Sequence, residues 1–345
     1  MDFSGIVVPF RINRPLTGQE KAHQLHQKRQ LAVAPRDQLS VITMNSTYLE
    51  SVDKWFGWKG TVSLITVAVM LVFTHSAGYL AISWLLEAAG FLPSVDTPGF
   101  MLANGLGMAV VYGLILWGCI TFLRRESFAY THYPLRFNRK SRMVYVWRTN
   151  GTVLEVPWDE VFFTLAKVAE QWEVRGHVLA PDKLTIVESF ALSHSDLMSH
   201  EDLDPATRRY SDRDTVRAHW EFIRRYMEDG PDEASRQILF CMPVDGRRET
   251  AKGGMHRVFV NFNGAQRPFL LMLSPILLVV SLFRILAMRT SKIPRWPDHV
   301  EAACAVETGD PYAIAGDADG NRIAVYPEAA EAAGVRFTSV AGAKA

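Results

Sequence analysis

Few side chains in this sequence have the types and spacing that chemistry needs. His194, Asp196 and His200 lie close together and have the residue types of metal ligands or an acid–base pair. The two histidines are six positions apart, which does not stack them on one helical face, and the surrounding segment is rich in serine and aspartate. Asp159 and Glu160 are adjacent, so on a strand they would point to opposite faces. We therefore expect a solvated loop at the first site and a turn or strand entry at the second.

Recognised catalytic motifs are absent from the sequence. It contains no glycine-rich phosphate loop, no H-E-x-x-H pair and no G-x-S-x-G elbow. Its three cysteines, Cys119, Cys241 and Cys304, are too widely spaced for a zinc or redox motif. The 37 basic and 36 acidic residues nearly cancel, which argues against nucleic acid as a partner. The sequence predicts a non-enzymatic protein without a cofactor or metal.

Two long apolar segments dominate the first half of the chain. Residues 61–86 and 99–123 contain no Lys, Arg, Asp or Glu, and each exceeds the roughly 20 apolar residues that a helix needs to cross a bilayer. They predict a transmembrane helical hairpin over residues 59–124. The connection 87–98 lacks Lys and Arg, whereas basic residues flank the outer ends of both segments. This asymmetry predicts that both ends of the hairpin are cytoplasmic.

The basic residues beside the apolar segments are candidate contacts with the membrane surface. Each such residue near anionic headgroups contributes about 1 kcal/mol to membrane binding. The candidates are Arg124, Arg125, Arg267, Arg284, Arg289, Lys292 and Arg295.

A stripe of small residues runs along the second apolar segment. Gly105, Ala109 and Gly113 recur every four residues, as do Ala77 and Ala81 in the first segment. Such spacing lets helix backbones approach closely in lipid. We expect the stripe to pack the hairpin against itself, and a homodimer through the same face is the alternative.

A third apolar run covers residues 269–283. It is short for a bilayer, contains Pro275, and has basic residues on both sides. We predict a re-entrant or interfacial helix over 267–290, while a true third crossing remains the alternative.

The remaining regions are predicted to be soluble. Residues 1–58 form an N-terminal cytoplasmic region whose last part, Asn45–Lys59, reads as an interfacial amphipathic helix. Residues 125–266 alternate in polarity, contain the hairpin signal Asn150-Gly151, and end in a helix near 212–229. This order predicts a cytoplasmic antiparallel β domain of the pleckstrin-homology-like kind, closed by a C-terminal helix. The predicted fold class is therefore membrane α + β, with the two-helix transmembrane hairpin followed by this β domain. Residues 291–345 form a tail, predicted to be weakly ordered after 313.

Three segments carry a resemblance to a known group of proteins. Asn45–Trp55, Tyr133–Val161 and Lys292–Cys304 resemble an uncharacterised family of proteobacterial inner-membrane proteins found near type VI secretion effector genes, including those of predicted phospholipase toxins. The resemblance extends over about residues 45–305. It carries no active residues.

The resemblance implies a multi-pass protein of the bacterial inner membrane that assists interbacterial antagonism. Such an accessory would be an immunity factor or a helper in effector loading, with membrane lipids and a toxin or effector protein as partners. The alternatives are a membrane-anchored lipid-binding or sensing module and a membrane-active secreted effector.

Overall fold

The computed structural model describes residues 3–4, 8–168, 171–192, 212–238, 241–260 and 267–315. The chain divides into two compact units. Unit 1 comprises residues 1–57, 130–278 and 293–345, and unit 2 comprises 58–129 and 279–292. The membrane-type hairpin is therefore an insertion into the sequence of unit 1.

The strands are β1 Phe3–Ser4, β2 Val8–Pro9, β3 Arg14–Pro15, β4 Gln24–Leu25, β5 Val41–Met44, β6 Tyr48–Ser51, β7 Leu135–Asn138, β8 Met143–Trp147, β9 Val153–Pro157, β10 Val161–Val168, β11 Gln171–Leu179, β12 Thr185–Ala191 and β13 Ile314–Ala315. The helices are α1 Gly18–Ala22, α2 Thr61–Phe73, α3 Tyr79–Ala88, α4 Pro98–Glu126, α5 Asp212–Glu228, α6 Pro231–Gln237, α7 Ala251–Val260, α8 Arg267–Thr290 and α9 Asp298–Ala303.

In the part of the chain that the structure describes, unit 1 contains two multistranded antiparallel sheets and a separate two-stranded pair, β1–β2. The larger has the order β13-β5-β6-β7-β8-β9, and the other has the order β3-β12-β11-β10-β4. The turn between β8 and β9 has Gly151 at φ +84°, a conformation that glycine adopts without strain, and the Arg148 amide donates to the Thr152 carbonyl across it. The hairpin signal in the sequence thus corresponds to a real turn.

The core of unit 1 lies between the sheets and α5. Trp158 stacks on Trp220 of α5 with 5.5 Å between ring centroids, and Phe163 lies 4.5 Å from Trp220. All three side chains are fully buried. The apolar stripe of α5 (Val216, Trp220, Ile223 and Met227) is buried as well, so this helix contributes one whole face to the core.

The predicted fold class is wrong. In place of one pleckstrin-homology-like β domain after the hairpin, the described residues form the two multistranded sheets given above, and residues before the hairpin supply strands to both. β6 pairs with β7, with Leu49 opposite Phe137, although the hairpin separates these strands in sequence. The segment expected to form an interfacial helix is instead β6 followed by a 3-10 turn at Phe56–Trp58. Its apolar spacing fitted a helix, but pairing with a distant strand decided the local structure.

Unit 2 contains the apolar hairpin. α2 continues through a π-helical turn, Thr74–Gly78, into α3, and α4 returns. Among the residues that the structure describes, three helical stretches are long and apolar enough to cross a membrane: Phe56–Ala88, Pro98–Glu126 and Leu271–Thr290. The hairpin exposes large apolar side chains on several sides, among them Ile65, Leu71, Val72, Ile82, Leu106, Val110, Leu114 and Trp117.

Candidate membrane-contact site

The ends of three apolar segments meet at one end of unit 2, which we call the base. Glu126 closes α4, and its carboxylate accepts hydrogen bonds from the Gly60 amide at 2.9 Å and the Ser63 amide at 2.6 Å. These amides belong to the first turn of α2, where they have no partner within the helix. A negative charge at a helix N-terminus is also favoured by the helix dipole. Glu126 therefore acts as a cap supplied by the neighbouring helix.

The C-terminal end of α8 joins the same base. Ser291 Oγ donates to the Glu126 carbonyl at 3.2 Å, and the Lys292 amide donates to the Ala129 carbonyl at 2.8 Å. The Ser63 and Ser127 hydroxyls are hydrogen-bonded at 2.7 Å. Lys59 Nζ donates to the Glu126 carbonyl at 2.6 Å. Polar groups at the base are thus paired among the three segments.

Gly60 sets the close approach of α2 and α8. Its φ is +98°, and a Cβ at this position would lie 2.4 Å from the Arg284 amide nitrogen and 2.5 Å from the Arg284 Cα. Both atoms belong to backbone and cannot swing away. Only glycine combines this backbone conformation with this contact.

The predicted membrane-surface contacts occupy different environments. Arg124 and Arg125 at the end of α4, with Arg289 and Lys292 at the end of α8, are exposed near the base. Arg284, in contrast, is fully buried. The other two predicted contacts are in unit 1: Arg295 is exposed, and Arg267 is the first residue of α8, with its side chain outside the described set.

An apolar hairpin with exposed cations at one end is suited to anionic lipid. The exposed surface of α2–α4 is largely apolar, and the cations lie at one end of it. This distribution is typical of segments whose basic ends face anionic headgroups. These two features together make the base of unit 2 a candidate membrane-contact site.

The small-residue stripe is only partly used inside the hairpin. A Cβ on Gly105 would lie 2.9 Å from the Leu85 side chain, so α4 and α3 touch there. Ala109 is half-buried, and Gly113 is exposed with no atom within 4 Å of a Cβ.

The hairpin has a further contact that sequence reasoning missed. The Tyr112 ring covers Gly78, and the Tyr112 hydroxyl is hydrogen-bonded to Thr74 Oγ1 at 2.8 Å. The signal for this contact in the sequence was the presence of a tyrosine and a threonine inside the two apolar segments.

A second polar cluster, also missed, lies on the smaller sheet of unit 1. Ser189 Oγ and His177 Nδ1 are 2.7 Å apart on the paired strands β12 and β11, and His177 Nε2 lies 3.5 Å from the Glu20 carboxylate. Serine, histidine and a carboxylate are the residue types of a nucleophilic triad. Ser189 and His177 are only 4% and 1% exposed, however, so a substrate would have no access.

The hydrogen bonds of this cluster give it a structural role. Arg14 donates to both carboxylate oxygens of Glu20, at 2.9 and 2.5 Å, and the Thr17 amide donates at 2.8 Å. Burial by itself would raise the pKa of Glu20, but these bonds outweigh it and hold that pKa far below its usual 4.5. Burial lowers the pKa of His177. The cluster fastens α1 and β3 to the sheet.

Of the other residues singled out for chemistry, the structure describes only Asp159 and Glu160. His194, Asp196 and His200 lie outside the described residues. Asp159 is bound by Arg142 through two hydrogen bonds of 2.6 Å, one to each carboxylate oxygen, while Glu160 is exposed. Within the described ranges, no three His, Cys, Asp or Glu residues are grouped as a metal site would need.

The segments that carry the resemblance meet around Arg136 in unit 1. Its guanidinium lies between the rings of Tyr48 and Trp296, at 4.3 and 4.8 Å, and pairs with Glu50 at 2.7 Å. Trp296 also packs edge-on to Trp147 at 5.6 Å. Each of the three segments therefore contributes side chains to one packed cluster around Arg136.

Comparison with known proteins gives one match. No curated protein and no solved structure matches the chain. A family model described as a family of unknown function, DUF6708, matches residues 113–308, from within α4 to just beyond α9. That range covers more than half of the 345 residues, and the chain belongs to this family.

Proposed function

We propose that this protein is a non-enzymatic, multi-pass protein of the bacterial inner membrane, with α2–α3 and α4 as its crossings and unit 1 in the cytoplasm. The observation that carries the proposal is the hairpin, whose exposed surface is largely apolar and whose basic residues lie at one end. The connection 87–98 at the other end has no Lys or Arg. That difference favours a cytoplasmic base.

We further propose that it serves as an accessory of type VI secretion-linked antagonism, as an immunity factor or an effector-loading helper. The resemblance of Asn45–Trp55, Tyr133–Val161 and Lys292–Cys304 supports this role. With only the connection 87–98 outside, a periplasmic toxin would meet little of the protein. A toxin or effector that reaches the protein from the cytoplasm, or within the bilayer, fits the proposed topology better.

A competition experiment tests this role. The gene is deleted, and the mutant is grown against its parent with the parent's contact-dependent secretion either active or disabled. Death of the mutant only beside the active parent identifies an immunity factor, and survival with loss of killing identifies a helper. Complementation by the wild-type gene is the control. A mutant that behaves like its parent in both assays would rule out the antagonism role.

The exposed cations at the base favour a second candidate function, a membrane-anchored module that binds or senses lipid. Purified full-length protein would then retain phosphatidylglycerol over phosphatidylcholine, and a quadruple Arg124, Arg125, Arg289 and Lys292→Gln variant would lose this preference. Toxicity on expression in a naive host would instead favour the third role, a membrane-active secreted effector.

A further inference from the structure

Both chain segments that flank α8 are tied to the same strand of unit 1. Before α8, the Met242 amide donates to the Val41 carbonyl of β5 at 2.6 Å. After α8, Ile314 pairs with Met44 of β5 through β13. A single four-residue strand cannot lie on both sides of a bilayer. Met242 and Ile314, on either side of α8 in sequence, therefore lie on the same side of the membrane.

A crossing by α8 would require a second crossing in one of its flanking segments to restore this topology. After α8, the helix before β13 is α9, whose six residues are too few to cross. The second crossing would therefore have to lie between Met242 and Arg267. The described helix in that interval is α7, with ten residues and the charged side chains Lys252 and Arg257. Ten residues extend about 15 Å as a helix, half the thickness of the hydrocarbon core. Length and charge both make α7 unsuitable as a returning span.

The two faces of α8 differ in the way an in-plane helix requires. Leu277, Ser281, Arg284, Met288 and Ser291 are buried and follow one another at spacings of four and three residues, so they share one face. Another face is apolar and exposed along its length, with Leu271 at 77%, Leu278 at 52% and Leu282 at 53% exposure, followed by Leu286. Arg289 and Lys292, both exposed, follow this apolar face at the base.

We propose that α8 is not a third crossing but lies in the plane of the cytoplasmic leaflet, with its exposed apolar face in the acyl chains of anionic phospholipids. An amphipathic helix of this kind inserts about 5–10 Å into the headgroup–acyl boundary. The proposal rests on the proposed membrane insertion of the hairpin. It explains how a 24-residue apolar helix, long enough to cross by its composition, joins segments of one compact unit.

Site-directed labelling in intact cells tests the topology with the full chain. Single cysteines are introduced as Lys252→Cys before α8, Asp298→Cys after it, and Ser94→Cys in the connection between α3 and α4; all three positions are exposed. The parent chain, whose three cysteines are buried, gives the background. A membrane-impermeant maleimide should label Ser94→Cys in intact cells, and the other two only after the inner membrane is opened.

Each outcome separates this inference from the proposed function. If Lys252→Cys and Asp298→Cys label on opposite sides, α8 crosses and the inference is overturned. If all three positions label on one side, the hairpin does not cross and the proposed function fails. The conclusion that the two segments flanking α8 lie on the same side would still hold.

Depth measurements give a second readout. Spin labels are placed at Leu271→Cys, Leu278→Cys and Leu282→Cys in the full-length protein, reconstituted in phosphatidylglycerol-containing vesicles. An in-plane helix puts all three labels at a similar depth near the headgroups. A crossing helix would separate the first and last by roughly 16 Å, since each residue adds about 1.5 Å. A steady change of depth along the three positions would overturn the proposal.

Discussion

Gly60 shows how a single residue allows the base to form, and Gly90, beyond the end of α3, provides a comparison. Gly60 and Gly90 both have positive φ, at +98° and +79°. A Cβ on Gly60 would meet the Arg284 backbone at 2.4 Å, whereas one on Gly90 would meet no atom within 4 Å. Gly90 is therefore a matched control for backbone strain without the steric contact.

We predict that Gly60→Ala destabilises the protein much more than Gly90→Ala. The left-handed backbone costs an L-residue about 1–2 kcal/mol at either position, and overpacking adds about 1–3 kcal/mol at Gly60 alone. The measurement is the melting temperature of the full-length protein in mild detergent. Equal decreases in the two variants would show that α2 and α8 do not approach closely at this residue.

The buried cluster around Glu20 makes unit 1 sensitive to acid. The pKa of Glu20 lies below its usual 4.5 in the folded protein, so its contribution to stability is complete above that pH and is lost as the pH falls. The pKa of His177 is lowered from 6.5 by burial, so protonation below that pH also favours the unfolded chain. Both groups therefore act in the same direction.

We predict that Glu20→Gln lowers the free energy of unfolding by about 2–3 kcal/mol at pH 7, because Arg14 loses its charged partner. The variant should also lose less stability than the wild type between pH 6 and pH 3. Denaturant unfolding at several pH values measures both effects. The control is Glu188→Gln, which removes a more exposed partner of Arg148 and should change stability by less than about 1 kcal/mol. If the free energy of unfolding depended on pH in the same way for the wild type and Glu20→Gln, Glu20 would not be a source of the acid sensitivity.

Among the structural elements, the hairpin contains a matched pair of positions on one helix. Gly105 touches Leu85, and Gly113, eight residues further along α4, faces open space. We predict that Gly105→Leu costs about 1–3 kcal/mol through overpacking and that Gly113→Leu leaves the melting temperature in detergent nearly unchanged. A large effect of Gly113→Leu would instead show that this residue contacts a second copy, the homodimer alternative.

The accuracy of sequence reasoning differs between local and long-range elements. The hairpin, the β8–β9 turn and α5 follow from signals within about 30 residues: uninterrupted apolarity, an Asn-Gly pair and a stripe of spacing three and four. β6 does not follow from any local signal, because Glu50 is buried opposite Arg136, 86 residues away. In a sequence, the two residues of a buried ion pair cannot be distinguished from charged residues on the surface. The Glu20, His177 and Ser189 cluster was missed for the same reason, since its members come from three separate segments.

At the scale of the whole molecule, the insertion of the hairpin determines which fragments can fold. Residues 125–266 were predicted as a domain, yet this fragment lacks β3, β4, β5, β6 and β13. Without β6, the fully buried Leu135 and Phe137 of β7 lose their cross-strand neighbours. Exposing each such side chain costs about 1.5–3 kcal/mol. The two losses together amount to about 3–6 kcal/mol, a large part of the 5–15 kcal/mol by which domains are typically stable.

We predict that the 125–266 fragment does not unfold cooperatively, whereas the full chain with residues 58–129 replaced by a flexible glycine–serine linker does. The linker is feasible because Asp53 accepts a hydrogen bond from the Tyr133 amide at 2.8 Å, so the segments to be joined already lie side by side. Circular dichroism during urea titration, in mild detergent to cover α8, distinguishes the two proteins. A sigmoidal transition of the fragment with a slope like that of the linker protein would show that the N-terminal strands are dispensable. The larger sheet would then be completed by some other pairing.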